Sequence, residues 1–329
     1  MRAVLLDAFG DVSHFRPAEI ERPRPRAGQV LVRVAASGVN PIDCKIRTLA
    51  PAFAPRLPAV LGMDLAGVVE EAGGGVTDFR PGDEVFGCVG GLGDLPGTLA
   101  EYVAADQELL APKPANLSLR QAAALPLVGI TAWEALHDKA AVRAGQHALI
   151  HGGAGGVGHV AVQLAKAAGL RVAATVSSEA KAATARDLGA DEIVNYRQEQ
   201  VADYVERLTG GVGFDLVLDT VGGANLDASF AAARPEGQVV STNTRSAHDL
   251  SILHAKALSL HVVFMLLPLI TGRDRARFGR ILRQVARLVQ AGELRPLLDE
   301  RRFTLDSAAQ AHALVEQGQA RGKVVVDIA

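Results

Sequence analysis

One stretch of this 329-residue chain restricts its fold more than any other: Gly153-Ala154-Gly155-Gly156-Val157-Gly158, a literal G-x-G-x-x-G near the middle of the sequence. A short apolar run, His147 to His151, precedes it and closes on Gly152-Gly153. Beyond it, Val157, Val160, Ala161, Leu164, Ala165 and Ala168 recur at spacings of three and four until Gly169 stops them. That order reads as strand, glycine turn and amphipathic helix. In such a unit the first glycine makes the tight turn, the second lets the backbone approach a pyrophosphate, and the third lets helix and strand pack closely. The unpaired N–H groups where the helix opens, around Gly156 and Val157, then face the phosphates. A purely structural glycine turn is the competing reading, and the βαβ context favours dinucleotide binding.

Around this motif the texture alternates. Strands are expected at 171–176, 192–194, 214–219 and 238–241, with helices at about 180–188 and 198–208, which implies a parallel sheet covered on both faces. Before about residue 116 the pattern is instead short β-rich pieces, such as 30–34, 67–70 and 100–103, broken by Gly and Pro. After Ile270 come a helix with Phe278, Ile281, Leu282, Val285, Leu288 and Val289 on one face, strands at 302–305 and 323–328, and a helix between them. These late pieces are too few for a separate domain. We therefore expect a β-rich domain over 1–120, completed by 271–329, and a dinucleotide-binding domain over 121–270.

Composition excludes several classes. Formal net charge is −2, so no bulk excess draws the chain to nucleic acid or acidic lipid. Two cysteines, Cys44 and Cys88, can build neither a disulfide framework nor a four-thiolate zinc site. The N-terminus has no signal-sequence pattern, and the longest apolar stretch, 262–270, contains Pro268 and is too short to span a bilayer. A cytoplasmic protein is expected. Residues 273–302 carry nine Arg against four Asp plus Glu, but the arginines lie largely opposite the apolar stripe without interleaved aromatics. A solvated helix face is expected there, not a nucleic-acid site.

Dinucleotide choice is read at the end of the second strand, where an acid would hold the ribose 2′-OH of NAD. Ser177 and Ser178 stand there instead, with Lys181 one turn on, a set that can donate to a 2′-phosphate. NADPH is the expected cofactor, with Glu179 as a ribose acid the alternative. Tyr-x-x-x-Lys, the proton-transfer pair of short-chain dehydrogenases, does not occur: Asp106, Gln200 and Leu208 stand four residues after Tyr102, Tyr196 and Tyr204.

From Gly38-Val39-Asn40-Pro41-Ile42-Asp43, through Gly82-Asp83-Glu84-Val85, Gly97-Thr98-Leu99-Ala100-Glu101-Tyr102, Ala124-Leu125-Pro126 and Thr131-Ala132, to Gly322-Lys323-Val324-Val325, the whole chain resembles the medium-chain dehydrogenase/reductase superfamily. The similarity is to its zinc-independent quinone oxidoreductase branch, the zeta-crystallin-like proteins. It implies an α/β fold, a Rossmann doubly wound parallel sheet plus a GroES-like β-rich catalytic domain. The positions that carry a catalytic cysteine and a His-Glu pair in zinc-dependent relatives look to be Asn40 and Met63-Asp64, so no metal is expected.

The resemblance implies catalytic roles for Asn40, with Asp43 nearby and Thr131 close to the nicotinamide, and cofactor contacts from Gly153, Gly155, Gly156, Val157, Gly158, Ser177, Ser178, Lys181, Tyr196 and Arg197. Asn40 and Asp43 can equally cap a turn and a helix. Lys45 stands where some bacterial relatives carry a tyrosine, and its role, like that of Cys44, stays open. The expected reaction is metal-independent hydride transfer from NADPH to a quinone or an α,β-unsaturated carbonyl, in an interdomain cleft. Reduction of one specific enone or enoyl thioester, or a silent nucleotide- or RNA-binding relative, are the alternatives. The apolar strand at 260–265 looks like a dimer-forming edge, so a homodimer or homotetramer is expected.

Overall fold

The computed structural model describes residues 1–328. It divides into two compact units, Met1–Ile130 with Leu266–Ala329, and Thr131–Met265. The division thus falls at Ile130, not near 120, because the short helix Leu119–Ala122 packs on strands of the first unit. The second division falls at Met265, not at 270.

In the second unit six parallel strands form one sheet: β1 (His147–Ile150), β2 (Arg171–Val176), β3 (Glu192–Asn195), β4 (Phe214–Asp219), β5 (Ala233–Ser241) and β6 (Ser259–Val262). Their order, β3-β2-β1-β4-β5-β6, is that of a doubly wound Rossmann sheet. Helices α1 (Gly156–Ala167), α2 (Glu179–Asp187), α3 (Val201–Thr209) and α4 (Asn225–Ala232) connect the strands. Leu149, Ala173, Val194, Phe214, Val217 and Val239 from five strands meet Tyr204, Leu226 and Phe230 of α3 and α4 in one buried cluster. Strand β5 begins five residues before the sequence pattern suggests. Its Arg234-Pro235-Glu236-Gly237 segment reads as a break, but the ladder continues past it through a register shift opposite Phe214–Leu216. Strand β6 pairs only with β5 and is a sheet edge, leaving Val262 and the following Phe264 exposed.

In the first unit the long strand Gln29–Val39 is the hub. It pairs antiparallel with Asp64–Ala72, Tyr102–Asp106 and Val324–Asp327 in a seven-stranded sheet. The register sets Val324 opposite Val39 and Asp64 opposite Gly38, while Asp64 in turn faces Cys88. Residues from both ends of the chain are thereby drawn to the position just after Val39. Helix Ala276–Gln290 buries Phe278, Ile281, Leu282, Val285 and Val289. Nearby arginines are paired with acids, Arg275 with Asp106, Arg280 with Asp274 and Arg283 with Asp78. No helix among the described residues is long and apolar enough to cross a membrane.

The tightest packing in the second unit is backbone on backbone. A Cβ on Gly158 would stand 2.0 Å from the Gly152 carbonyl oxygen, and both atoms are held by main chain. Overpacking a rigid site costs typically 1–3 kcal/mol, occasionally more. Gly158→Ala should therefore lower the midpoint of urea unfolding and weaken dinucleotide binding together. An unchanged midpoint would mean that the turn can yield.

Candidate functional site

The glycine motif opens α1 where the sequence places it, but its glycines divide the work differently. The tight turn belongs to Gly152, whose φ is +70°. Gly153 is instead a close-packing position, since a Cβ there would come 2.6 Å from that of Ala174 on β2. Gly155 is the N-cap of α1, exposed and without a side-chain cap, so the first N–H groups of the helix at Gly156, Val157 and Gly158 have no capping side chain of their own. Removing side chains from this loop leaves a cradle that any Cβ would narrow, and the helix end presents donors and positive dipole to it. Phosphates of a dinucleotide fit both features.

Strand β2 lies next to β1 in the sheet and β3 next to β2, all parallel, so the remaining cofactor candidates follow strand ends on the same side of the sheet. Ser177 and Ser178 follow β2, and Ser178 is the N-cap of α2, its Oγ accepting the Lys181 N–H at 3.4 Å. Tyr196 and Arg197 follow β3 and are exposed, with the Tyr196 N–H donating to the Val176 carbonyl. Glu179, the alternative ribose acid, accepts from Arg186 one face along the same helix, at 2.8 Å.

Two supports on this side of the sheet escape the motif reading. Thr175 Oγ1 accepts the Gly152 N–H at 3.1 Å and lies 3.3 Å from His151 Nδ1. Burial holds His151 down to about 4, so its ring is neutral there. At the end of β4, Asp219 accepts from the N–H groups of Val221 and Gly222, from Asn225 Nδ2 and from Ser241 Oγ, and fixes the following turn. Thr220 Oγ1 then donates to the His151 carbonyl at 2.7 Å. The signal available in sequence was an acid closing an apolar strand before Gly222-Gly223.

In the first unit Asn40 and Asp43 come together at the start of helix Pro41–Leu49. Asp43 caps: its Oδ2 accepts the Asn40 N–H at 2.8 Å. Asn40 stands at the N-cap, yet its side chain makes no cap bond. Instead Nδ2 donates to Asp64 Oδ2 at 2.8 Å, and Oδ1 accepts from Lys323 Nζ. Lys323 also donates to the Val39 carbonyl at 3.2 Å and lies 3.6 Å from Asp64 Oδ2, whose other oxygen accepts the Leu127 N–H. Asn40, Asp43, Asp64 and Lys323 are all buried. The second amide hydrogen of Asn40 is taken by neither Asp64 nor Lys323.

Burial disfavours every charge in this cluster. It pushes the Asp43 carboxyl up to about 7, helped by Asp64, and raises Asp64 and the Cys88 thiol while lowering Lys323. Asp43 Oδ1 has no hydrogen-bond partner. Near neutrality a protonated Asp43 leaves Asp64 and Lys323 as a balanced pair. The donor set does not suit a catalytic zinc, which needs three N, S or O ligands: Asn40 and Met63 offer an amide and a thioether, and Asp64 is already paired with an ammonium.

The other candidates are more peripheral. Cys44 is buried, its thiol 3.8 Å from His312 Nδ1 and pushed by burial up to about 12, so it is no nucleophile at neutral pH. Lys45 is exposed. Thr131 is buried in helix Pro126–Trp133 and belongs to the second unit.

The sign of the Asp43 effect on stability follows from its raised value. Folded protein holds this proton up to about pH 7, whereas an unfolded carboxyl releases it near 3.8, so the group's contribution to stability is lost as pH rises between those limits. Asp43→Asn keeps an oxygen to accept the Asn40 N–H and removes the titration. Urea unfolding from pH 4.5 to 8 should show the variant gaining on the parent as pH rises, each unit between the two values being worth about 1.4 kcal/mol. Parallel pH profiles would contradict it.

With this geometry in view, the comparisons are consistent with one another. A family model described as alcohol dehydrogenase GroES-like domain matches residues 26–115, and one described as zinc-binding dehydrogenase matches 188–326. Quinone oxidoreductase of Rattus norvegicus is 30% identical over 328 residues, 99% of this chain and 97% of its own. An alcohol dehydrogenase superfamily protein from Novosphingobium aromaticivorans superposes with a TM-score of 0.96 at 45% identity over all of both chains. A mycobacterial protein solved in complex with NADPH gives 0.88 at 29% identity, covering 99% of this chain and 100% of that one. Glycine cradle, Rossmann strand order, GroES-like unit and full-length relatives together make this chain an oxidoreductase of the quinone oxidoreductase family, within the medium-chain dehydrogenases/reductases, a family that uses a nicotinamide cofactor.

Proposed function

We propose that this oxidoreductase reduces quinones or small α,β-unsaturated carbonyl compounds with NADPH and without a metal. The observation that carries the reading is the buried Asn40 amide, held by Asp64 and Lys323 with one N–H that neither of them takes. When bound, NADPH supplies a hydride, and its phosphates would be held by the glycine loop and the α1 N-terminus. Asn40 donates to the carbonyl oxygen of the substrate as negative charge grows there, the task a metal performs in other oxidoreductases. One proton completes the reduction, from solvent or a side chain. The exposed edge of β6 supports pairing with a second copy, and we read the protein as a cytoplasmic homo-oligomer.

Steady-state assays should show NADPH oxidation with ortho- or para-quinones or small enones and negligible oxidation of simple alcohols. Stoichiometric zinc by elemental analysis, or chelator-sensitive alcohol oxidation, would sink the metal-free reading. Asn40→Ala should lower kcat about 10²-fold, the order of loss for one such donor, while the KM for NADPH stays close to the parent value. Near-parental turnover in a folded variant would return Asn40 to a structural role.

Cofactor choice is tested at α2. Lys181 is exposed there and available to a 2′-phosphate. Charge-assisted bonds contribute about 1.5–3 kcal/mol, so Lys181→Ala should reduce the kcat/KM preference for NADPH over NADH by about ten-fold. Ser178→Asp retains an N-cap oxygen and should narrow the preference further by repelling the phosphate. A parent enzyme that prefers NADH, or a ratio unmoved by both changes, would transfer the ribose contact to Glu179.

A further inference from the structure

Nothing in the amide group itself decides which of its two ends faces which neighbour. The terminal torsion of an Asn side chain is broad and roughly two-fold, and its oxygen and nitrogen are alike in shape. Left to itself, Asn40 would present a carbonyl as readily as an N–H. We propose that Lys323 is a positioning residue, which fixes the rotational state of the Asn40 amide so that a hydrogen-bond donor, and not an acceptor, is offered to the substrate.

Strand register brings the three groups together. Val324 opposite Val39 puts Lys323 beside Asn40, some 280 residues away in sequence, and Gly38 opposite Asp64 puts the carboxylate on the other side. The amide is therefore clamped between an ammonium that can only donate and a carboxylate that, ionised, can only accept. In the observed state Oδ1 meets Nζ, and one hydrogen on Nδ2 meets Asp64 Oδ2. Turning the amide over would set two donors against each other on one side and two acceptors on the other. Lys323 cannot swing away to relieve this, because it is 3% exposed and its ammonium is also committed to the Val39 carbonyl and Asp64. With both neighbours satisfied, the one polar atom of the amide that they do not take is the second hydrogen of Nδ2.

A merely structural Lys323 would balance the charge of Asp64 and do no more. The two roles separate in a double-mutant cycle, since residues acting through one another couple and independent ones add. Methionine matches the length and apolar stem of lysine without its donors. Lys323→Met should lower kcat for quinone reduction about 10- to 100-fold with the KM for NADPH within about two-fold, as expected for an interaction made in the transition state. In the Asn40→Ala background the same change should cost nothing further in kcat.

Removing the ammonium also leaves Asp64 buried and unpaired, so the charge-neutral pair Asp64→Asn with Lys323→Met is made alongside. It frees the amide without burying a lone carboxylate, and should show the same fall in kcat in folded protein. A folded variant of either kind with kcat within about two-fold of the parent overturns the proposal, as does an equal loss in the Asn40→Ala background. The proposal rests on Asn40 as the substrate's hydrogen-bond donor. If Asn40→Ala alone leaves kcat unchanged, that earlier reading has failed; if Asn40→Ala is impaired and Lys323→Met is not, only the positioning role has.

Discussion

The structure around Asn40 depends on one electrostatic constraint: two carboxyls and an ammonium lie where water does not reach. Charges in such a place persist only when paired and hydrogen-bonded, and breaking a pair costs more than the pair contributes. Here Lys323 pairs with Asp64, the polar atoms of Asn40 span the two, and Asp43 avoids ionisation by holding its proton to about pH 7. The last strand of the chain is thereby tied to the first sheet by more than its ladder. Loss of Lys323 with the strand that follows it would leave Asp64 uncompensated.

A comparable constraint governs the loops that follow the strands of the second unit. Parallel strands in the order β3-β2-β1-β4-β5-β6 bring their ends into one row, and polar side chains at the ends of β2 and β4 shape the loops beyond them. Thr175 holds the Gly152 N–H, Ser178 caps α2, Asp219 gathers four donors, and Thr220 returns to the His151 carbonyl. Glycine enters where these supports leave no room. The contact of Gly158 with the Gly152 carbonyl sets how closely α1 approaches the end of β1, and hence how open its N-terminus stands.

Local pattern carried the second unit well. Apolar runs and three-and-four spacing locate β1, α1, β2 and α2 to within a residue or two, because each buries one face and announces its period. Where the pattern is interrupted the reading shortens: Pro235 and Gly237 hid the first half of β5, although the sheet continues past them. Glycine roles were half legible. The motif marks the loop, but which glycine turns and which packs depends on the neighbour that arrives, here Ala174 for Gly153.

By itself the sequence determined the class of fold, the place of the glycine loop that opens α1 and the absence of suitable zinc-type side chains at Asn40 and Met63, since each is a matter of residue type and local spacing. Tertiary structure decided the partnerships. The cap that Asp43 forms with Asn40 is local, but the side-chain partners of Asn40, Asp64 and Lys323, lie far off in sequence. Lys323 reads in sequence as one residue of a terminal Gly-Lys-Val-Val, and only an antiparallel register with Val39 turns it into the cation beside Asn40. No local rule carries that information, because hydrogen bonding between strands is indifferent to the length of chain that separates them.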